Sequence, residues 1–280
     1  MNIKITADST CDLSQELLEK HNISILPLTV IKDDKAYNDG VTITTDEIFS
    51  HVAAGGALCT TSAMGVGEYQ QWFEKFAGDY DAVIHINIGS GFSSCYQNAC
   101  LAAEDFKNVI AIDSCNLSTG QGLVVLKACE LAKNAESLDT IAQQLNEFTA
   151  KVEASFLLDQ LKYMVKGGRC TAVAALGANL LNLKPCIEVK NGKMSVVKKY
   201  RGTYAKCLAA YVKERLADRD DLDRNTLFVT NTPVSDECLS TVKTAVETYG
   251  DFENIYWTKA GCTVSCHCGP GTLGVLFVRK

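Results

Sequence analysis

Residues 82–113, AVIHINIGSGFSSCYQNACLAAEDFKNVIAID, read as a strand, a helix and a second strand. The two ends of this stretch, 82–88 and 109–113, are nearly continuous apolar runs, which is typical of strands buried on both faces. Between them, small and polar residues lead into a helical pattern that begins near Ser94. A strand, helix and strand in this order favour a parallel sheet covered by helices.

The same alternation extends through the first half of the chain. Residues 3–8 and 23–31 are strand-like, and 13–21 and 67–77 are helix-like. Thr44 and Glu47 have the spacing of a capping box, which predicts a further helix start. We therefore predict an α/β N-terminal domain over residues 1–152, with a mostly parallel sheet and helices on both faces.

The pattern changes after Val152. Residues 185–202, PCIEVKNGKMSVVKKYRG, are two alternating runs joined by Asn191-Gly192, a strong signal for a type I′ hairpin. A helical segment near 204–217 and three more strand-like runs follow. These features predict a C-terminal α/β domain over residues 153–280 with antiparallel strands.

Composition excludes several classes of protein. The chain of 280 residues carries a net charge of −6, so no basic surface indicates nucleic-acid binding. The chain has no run of eighteen apolar residues, and we expect no stable membrane insertion. Thirteen cysteines are scattered without a repeated spacing, which is typical of reduced thiols that serve as small apolar residues. We expect a cytoplasmic protein.

The first candidate site is the loop Gly89–Ser94. Gly91, Ser93 and Ser94 come where a helix follows a buried strand, and free backbone N–H groups at a helix start favour an anion. A serine that only caps the helix is an equally simple interpretation. The Gly-Ser-Gly sequence with Asp113 further on also resembles part of a dinucleotide fingerprint, although its third glycine is missing.

A nucleophile elbow is another alternative for this loop. Ser93, Asp113 and His267 occur in the chain order of a serine hydrolase triad. The last glycine of the elbow motif is replaced by Cys95, which weakens this alternative.

The second candidate is Thr60-Thr61-Ser62. We predict that these hydroxyl-bearing residues lie on a loop before a helix, where they would either bind an anion or cap the helix.

The third candidate is GCTVSCHCGPG, residues 261–271. Cysteine and histidine can ligate zinc, but no second Cys-x-x-Cys pair exists in the chain. In an extended segment Cys266 and Cys268 would face away from His267. We therefore predict no metal site, and we expect the Gly269-Pro270-Gly271 bend to expose the His267 side chain.

Six motifs in order along the chain resemble the DegV family. They are DSTCDL (8–13), TTS (60–62), GSGFSSCYQNA (89–99), VIAIDS (109–114), LKYMVKGGR (161–169) and HCGPGTLGV (267–275). The resemblance covers the chain essentially from end to end.

The resemblance implies a carrier rather than an enzyme. Members of the family enclose one long-chain fatty acid in a tunnel between two domains and need no cofactor. The residues that match the family's carboxylate ligands are Thr61, Ser93 and His267. A separate ATP-dependent fatty acid kinase then phosphorylates the bound carboxylate.

Further residues are predicted to support the head-group site or its partner. Those predicted to support the binding loops are Ser62, Gly91, Ser94 and Gly269, and those predicted to dock the kinase are Arg169 and Arg201. Residues 173–183, VAALGANLLNL, supply small and aliphatic side chains that suit an acyl chain. The sequence differs from the usual family pattern at Met64 and at Ser94-Cys95, so it leaves the pocket shape open.

Overall fold

The computed structural model describes residues 1–134, 137–174 and 183–280. The α-helices are α1 (Gln15–Lys20), α2 (Thr45–Ala53), α3 (Val66–Ala77), α4 (Cys95–Ala103), α5 (Ser118–Ala132), α6 (Leu138–Thr149), α7 (Lys162–Gly167), α8 (Thr171–Ala174), α9 (Tyr204–Leu216), α10 (Asp236–Tyr249) and α11 (Cys262–Cys268). The strands are β1 (Ile3–Asp8), β2 (Ser24–Leu26), β3 (Thr29–Lys32), β4 (Lys35–Asn38), β5 (Thr60–Ser62), β6 (Ala82–Asn87), β7 (Val109–Asp113), β8 (Val152–Leu158), β9 (Leu183–Lys190), β10 (Lys193–Arg201), β11 (Leu222–Asn231), β12 (Asn254–Lys259) and β13 (Thr272–Arg279). None of these helices is long and apolar enough to cross a membrane.

The first half of the chain forms a parallel sheet in the order β2-β1-β6-β7. Every residue of β6 is buried, so both faces of the sheet are covered. Helices α3 and α4 form one packed pair against the sheet, and α5 and α6 form another. The predicted capping box is present, with the Thr44 side chain accepting from the Glu47 N–H at 3.3 Å. The predicted α/β architecture of this half is confirmed.

The second half forms a six-stranded sheet in the order β10-β9-β8-β13-β11-β12. Its pairs are antiparallel except β11–β12, which is parallel. Asn191 and Gly192 have φ angles of 51° and 69°, as the predicted type I′ hairpin requires. The antiparallel character predicted for this half is confirmed.

Helix α5 lies between the two sheets and contacts strands of both. It is buried around most of its circumference, so it lacks the single apolar face of a surface helix. Its polar side chains bond to both halves: Gln121 donates to Asp8 at 3.0 Å, and Thr119 lies 2.6 Å from Thr230. One apolar cluster extends through both sheets, so the halves pack tightly. The change of sheet occurs at β8, and a domain boundary at residue 152 stays a prediction.

Three local expectations were wrong. The run 23–31 is two strands in different sheets, because Pro27 has a fixed φ and no N–H for a ladder. Thr60–Ser62 is not a loop but strand β5, which pairs with β3 in a small antiparallel sheet of order β4-β3-β5. Residues 262–268 are not extended but form helix α11.

Candidate functional site

A cavity of about 250 Å³ is lined by residues from both halves of the chain. Its polar lining residues are Thr10, Thr61, Ser62, Ser93, Ser94, Arg169, Thr263 and His267. Its apolar lining residues are Leu28, Ala63, Ile88, Phe92, Leu117, Met164, Met194, Val264 and Cys268. The three residues predicted to bind a carboxylate therefore line one cavity.

Thr61 and His267 are in direct contact although 206 residues separate them. Thr61 lies in β5, and His267 lies in the last turn of α11. The distance from Thr61 Oγ1 to His267 Nε2 is 2.8 Å. This hydrogen bond joins the small sheet of the first half to a helix of the second half at the cavity wall.

Burial controls the charge of His267. Desolvation, together with the nearby positive charge of Arg169, lowers the pKa of His267 to about 4. The imidazole is therefore neutral at pH 7 and donates only one N–H at a time. Its Nδ1 is buried without a hydrogen-bond partner among the described residues.

Two glycines allow the close packing around this histidine. A Cβ on Gly167 would lie 2.4 Å from His267 Nδ1, so only glycine fits beside the ring. Gly269 has a φ of +74°, and a Cβ there would lie 2.3 Å from the Tyr163 ring. The predicted bend thus ends α11 and packs against Tyr163. His267 itself is half-buried, not exposed as the bend alone suggested.

Ser93 lies just before α4 and both caps the helix and lines the cavity. Its Oγ accepts from the Cys95 N–H at 3.2 Å, while the neighbouring Ser94 makes no side-chain cap. A Cβ on Gly91 would lie 2.1 Å from the Gly192 carbonyl oxygen. The β9–β10 hairpin therefore closes directly onto the loop that carries Ser93.

The two arginines are placed differently. Arg169 is exposed, lines the cavity and donates to the Gly167 carbonyl at 2.7 Å. Arg201 is an exposed residue at the end of β10 and is absent from the described cavity lining.

Comparison with known proteins places this fold in a family. The model of the DegV family, described as an uncharacterised protein family, matches residues 2–280. This chain belongs to the DegV family. A DegV domain-containing protein of Clostridium acetobutylicum is 31% identical over 280 residues, covering 99% of each chain. One of Staphylococcus aureus is 30% identical, covering 100% of this chain and 98% of the other.

Solved DegV structures share the whole fold. A fatty-acid-binding DegV family protein of Thermus thermophilus superimposes with a TM-score of 0.91 at 27% identity, and each chain is covered completely. The fatty-acid-binding DegV of Bacillus subtilis gives 0.82 at 28% identity with the same coverage. A stearic-acid-binding protein of Eubacterium ventriosum gives 0.82 at 27% identity, covering 99% of this chain and 98% of the other. The family resemblance of the motifs is confirmed.

The geometry of this DegV chain does not assemble the hydrolase triad. Asp113 Oδ1 accepts from the backbone N–H groups of Ser90 and Cys115 at 3.1 and 2.8 Å, and His267 Nε2 bonds to Thr61. Ser93 bonds to its own helix start. Within the part of the chain that the structure describes, Asp113 neither orients the histidine nor shares a bond with Ser93.

Cys262 and Cys266 are packed as small apolar residues, as the composition predicts, but they lie on a helix and not on the predicted extended segment. Because α11 is helical, Cys262 and Cys266 lie one turn apart on the same face, in an apolar cluster with Ile43. The Cys262 thiol donates to the Ile43 carbonyl at 3.3 Å, and burial raises the pKa of Cys262 to about 12. Among residues 1–134, 137–174 and 183–280, no group of three or more His, Cys, Asp and Glu is placed to hold a metal ion.

Four residues of the cavity lining, Thr10, Met164, Met194 and Thr263, were not predicted from the sequence. Thr10 belongs to the DSTCDL motif, which could have indicated it, and Met194 belongs to the apolar face of the predicted hairpin. Met164 belongs to the LKYMVKGGR motif in the same way, and Thr263 lies within the candidate stretch 261–271. Most of the predicted acyl-chain segment 173–183 lies outside the described residues, which include Val173 and Leu183 but not 175–182.

Proposed function

We propose that this chain binds one long-chain fatty acid, with the carboxylate at Thr61, Ser93 and His267. The contact between Thr61 Oγ1 and His267 Nε2, 2.8 Å long at the wall of a cavity that Ser93 also lines, carries this proposal. The Ser93 hydroxyl can donate to a carboxylate oxygen, and the Thr61 hydroxyl and the His267 Nε2–H can do the same once a carboxylate replaces the hydrogen bond between them. Hydrogen bonds to an ionised acceptor are stronger than those between neutral groups.

The apolar lining supports a hydrocarbon tail. Leu28, Phe92 and Met194 are examples, and a second cavity of about 30 Å³ shares Leu117, Val264 and Cys268 with the first. The main cavity of about 250 Å³ is below the ~300–1,000 Å³ of typical ligand pockets. A long tail therefore needs further room, and we propose that it extends toward the adjoining cavity.

Tail burial supplies most of the binding energy in this proposal. About sixteen methylenes at ~0.8 kcal/mol each contribute on the order of 13 kcal/mol before the cost of ordering the chain. The head-group contacts then determine which end of the lipid lies at His267.

The DegV relatives support the ligand class. Proteins of Thermus thermophilus and Bacillus subtilis bind fatty acid, and one of Eubacterium ventriosum binds stearic acid. Each shares the fold over essentially the whole chain.

Native mass spectrometry of the purified protein tests the proposal. We expect one additional mass, that of a single fatty acid, on each chain, and recovery of that fatty acid after extraction. A chain that stays empty after incubation with excess stearate and oleate, or that carries zinc or a nucleotide, would overturn the proposal.

We further propose that the bound carboxylate is presented to a separate ATP-dependent fatty acid kinase in the cytoplasm. Arg169 supports this step because it is exposed at the cavity, where it could meet the kinase or the transferred phosphate. The test is acyl-phosphate formation with a fatty acid kinase, using Arg169→Glu beside Arg201→Glu. We expect the Arg169 variant to be the more impaired, and equal wild-type rates for both would exclude a docking role.

A further inference from the structure

Asp39 is a buried carboxylate, 5% exposed, that directly follows β4. It is not among the described residues of the cavity lining. Its Oδ1 accepts from the Cys262 N–H at 2.8 Å, and its Oδ2 accepts from the Thr263 N–H at 3.1 Å and from the Ser9 hydroxyl at 2.8 Å. Asp39 thus binds the first turn of the helix that carries His267.

The same residue is connected to Thr61 through the small sheet. β4 pairs with β3, and Val30 of β3 lies opposite Thr61 of β5. The Asp39 N–H also donates to the Leu28 carbonyl at 2.9 Å, just before β3 begins. Asp39 is therefore fixed to the sheet that holds one head-group residue.

The connection from Asp39 to His267 runs through helix α11 and is short. Helix α11 has seven residues, so His267 lies only one turn beyond the amides that Asp39 binds. A shift of the first turn relative to the small sheet would change the distance between His267 and Thr61 directly.

The hydrogen bonds that Asp39 accepts require a carboxylate at this position. Three groups donate to Asp39, and both of its oxygens accept: Oδ1 accepts one hydrogen bond and Oδ2 accepts two. An asparagine offers one oxygen and an NH₂ group, and in either orientation its NH₂ would face a backbone N–H, that of Cys262 or that of Thr263. We propose that Asp39 is a positioning residue of the head-group site, which sets the Thr61–His267 contact without touching the ligand. The meaning of this role for lipid binding rests on the function proposed above.

Nitrogen-15 NMR of labelled histidine tests the proposal without any ligand. The chain has four histidines, so the ring signals can be assigned by substitution. In Asp39→Asn we expect the His267 signals to move in the same direction as in Thr61→Val, which removes the Nε2 partner. The signals of His85, which bonds to Thr6 in the parallel sheet, are expected to stay in place.

Glu153→Gln is the matched control. This largely buried carboxylate accepts from Arg219 at 2.8 Å and lies in the six-stranded sheet. It should leave the His267 signals unchanged.

A folded Asp39→Asn protein with wild-type His267 signals would overturn the proposal. If Asp39→Asn does not fold, Ser9→Ala removes one of the three donors to Asp39. A His267 shift in that variant supports the proposal, and no shift overturns it.

A second readout separates this role from the proposed function. In Asp39→Asn we expect fatty-acid occupancy near the wild-type level and carboxylate phosphorylation by a fatty acid kinase to fall about 10- to 100-fold, as a small misplacement of reacting groups can cause. Absence of lipid from the wild-type protein would refute the proposed function but leave the histidine result valid. Unchanged phosphorylation by Asp39→Asn would refute the positioning role alone.

Discussion

His267 combines a half-buried ring with one side-chain hydrogen bond among the described residues, and this combination determines how a carboxylate would affect it. Burial and Arg169 lower the pKa of the free imidazole to about 4, below its ordinary value of about 6.5. A carboxylate beside the ring favours the protonated form and opposes this shift. The site is therefore expected to take up part of a proton when an anion binds.

The first prediction concerns that proton. We expect fatty-acid binding to raise the pKa of His267 by roughly 1–3 pH units, the usual effect of a close opposite charge. Since the bound form then holds the proton more tightly, affinity should increase as pH falls from 7 toward 5. Histidine NMR titrations with and without lipid measure this, and an unchanged pKa would exclude His267 from the head-group contact.

The second prediction separates holding the lipid from presenting it. Ser93→Ala removes one hydrogen bond to an ionised group, a loss of roughly 1.5–3 kcal/mol. Because the tail contributes on the order of 13 kcal/mol before its costs, the variant should still co-purify with fatty acid. Phosphoryl transfer depends on the position of the attacking oxygen, so kinase-dependent turnover should fall much more than occupancy.

Ser90→Ala is the control for this substitution, since Ser90 is exposed in the same loop and is absent from the described cavity lining. Occupancy and acyl-phosphate formation are measured on the same preparations. Loss of lipid from Ser93→Ala with normal turnover per bound lipid would show that the head group, not the tail, governs affinity.

At the scale of the elements, local patterns were sufficient where local physics decides the conformation. The apolar runs of β6 and β7, the Thr44 capping box and the Asn191-Gly192 turn were all predictable from neighbouring residues. Helix α11 was not, because CTVSCHC contains β-branched residues and no strong helix former. Its amides are bound by Asp12 and Asp39, more than 220 residues away in sequence, and no local pattern encodes such contacts.

The third prediction concerns the start of α11. Asp12 accepts from the Gly261 N–H at 2.8 Å and from the Ser118 hydroxyl at 2.5 Å, yet burial raises the pKa of Asp12 to about 8. Between pH 4 and 8 the folded protein keeps a proton that the unfolded chain has lost, so this group destabilises the fold as pH rises. Asp12→Asn removes that dependence.

We therefore expect the free energy of unfolding of Asp12→Asn to increase relative to wild type by up to about 1.4 kcal/mol per pH unit between pH 5 and 8. Above the folded pKa the difference should become constant. Denaturant unfolding at several pH values provides the measurement. A difference that stays constant from pH 5 to 8 would mean that Asp12 is ionised in the folded protein.

At the scale of the whole molecule, the site exists only because the two sheets pack against α5 and against each other. The motifs predict Thr61, Ser93 and His267 as carboxylate ligands, and the fold brings all three to one cavity. The shape of the cavity was not predictable, since it depends on side chains from many elements. Leu117, Val264 and Cys268 line both cavities, but no motif connects them to an acyl chain.

The fourth prediction tests the proposed extension of the tail toward the adjoining cavity. Ala154 of β8 is buried and lines the cavity of about 30 Å³ beside the main one. Ala154→Leu should fill this space, cost roughly 1–3 kcal/mol of stability by overpacking, and shift the bound fatty acids toward shorter chains. Chain lengths are read by mass spectrometry after extraction, with the exposed Ala210→Leu as control. An unchanged distribution would show that the tail takes another path.

A crystal structure with a long-chain fatty acid brominated at its last carbon tests the central claim most directly. We predict carboxylate oxygens within about 3 Å of Thr61 Oγ1, Ser93 Oγ and His267 Nε2, as hydrogen bonding requires. The anomalous bromine signal should lie deep among apolar side chains, far from the histidine. Bromine density beside His267, or a carboxylate bound elsewhere, would contradict the assignment of this cavity as the head-group site.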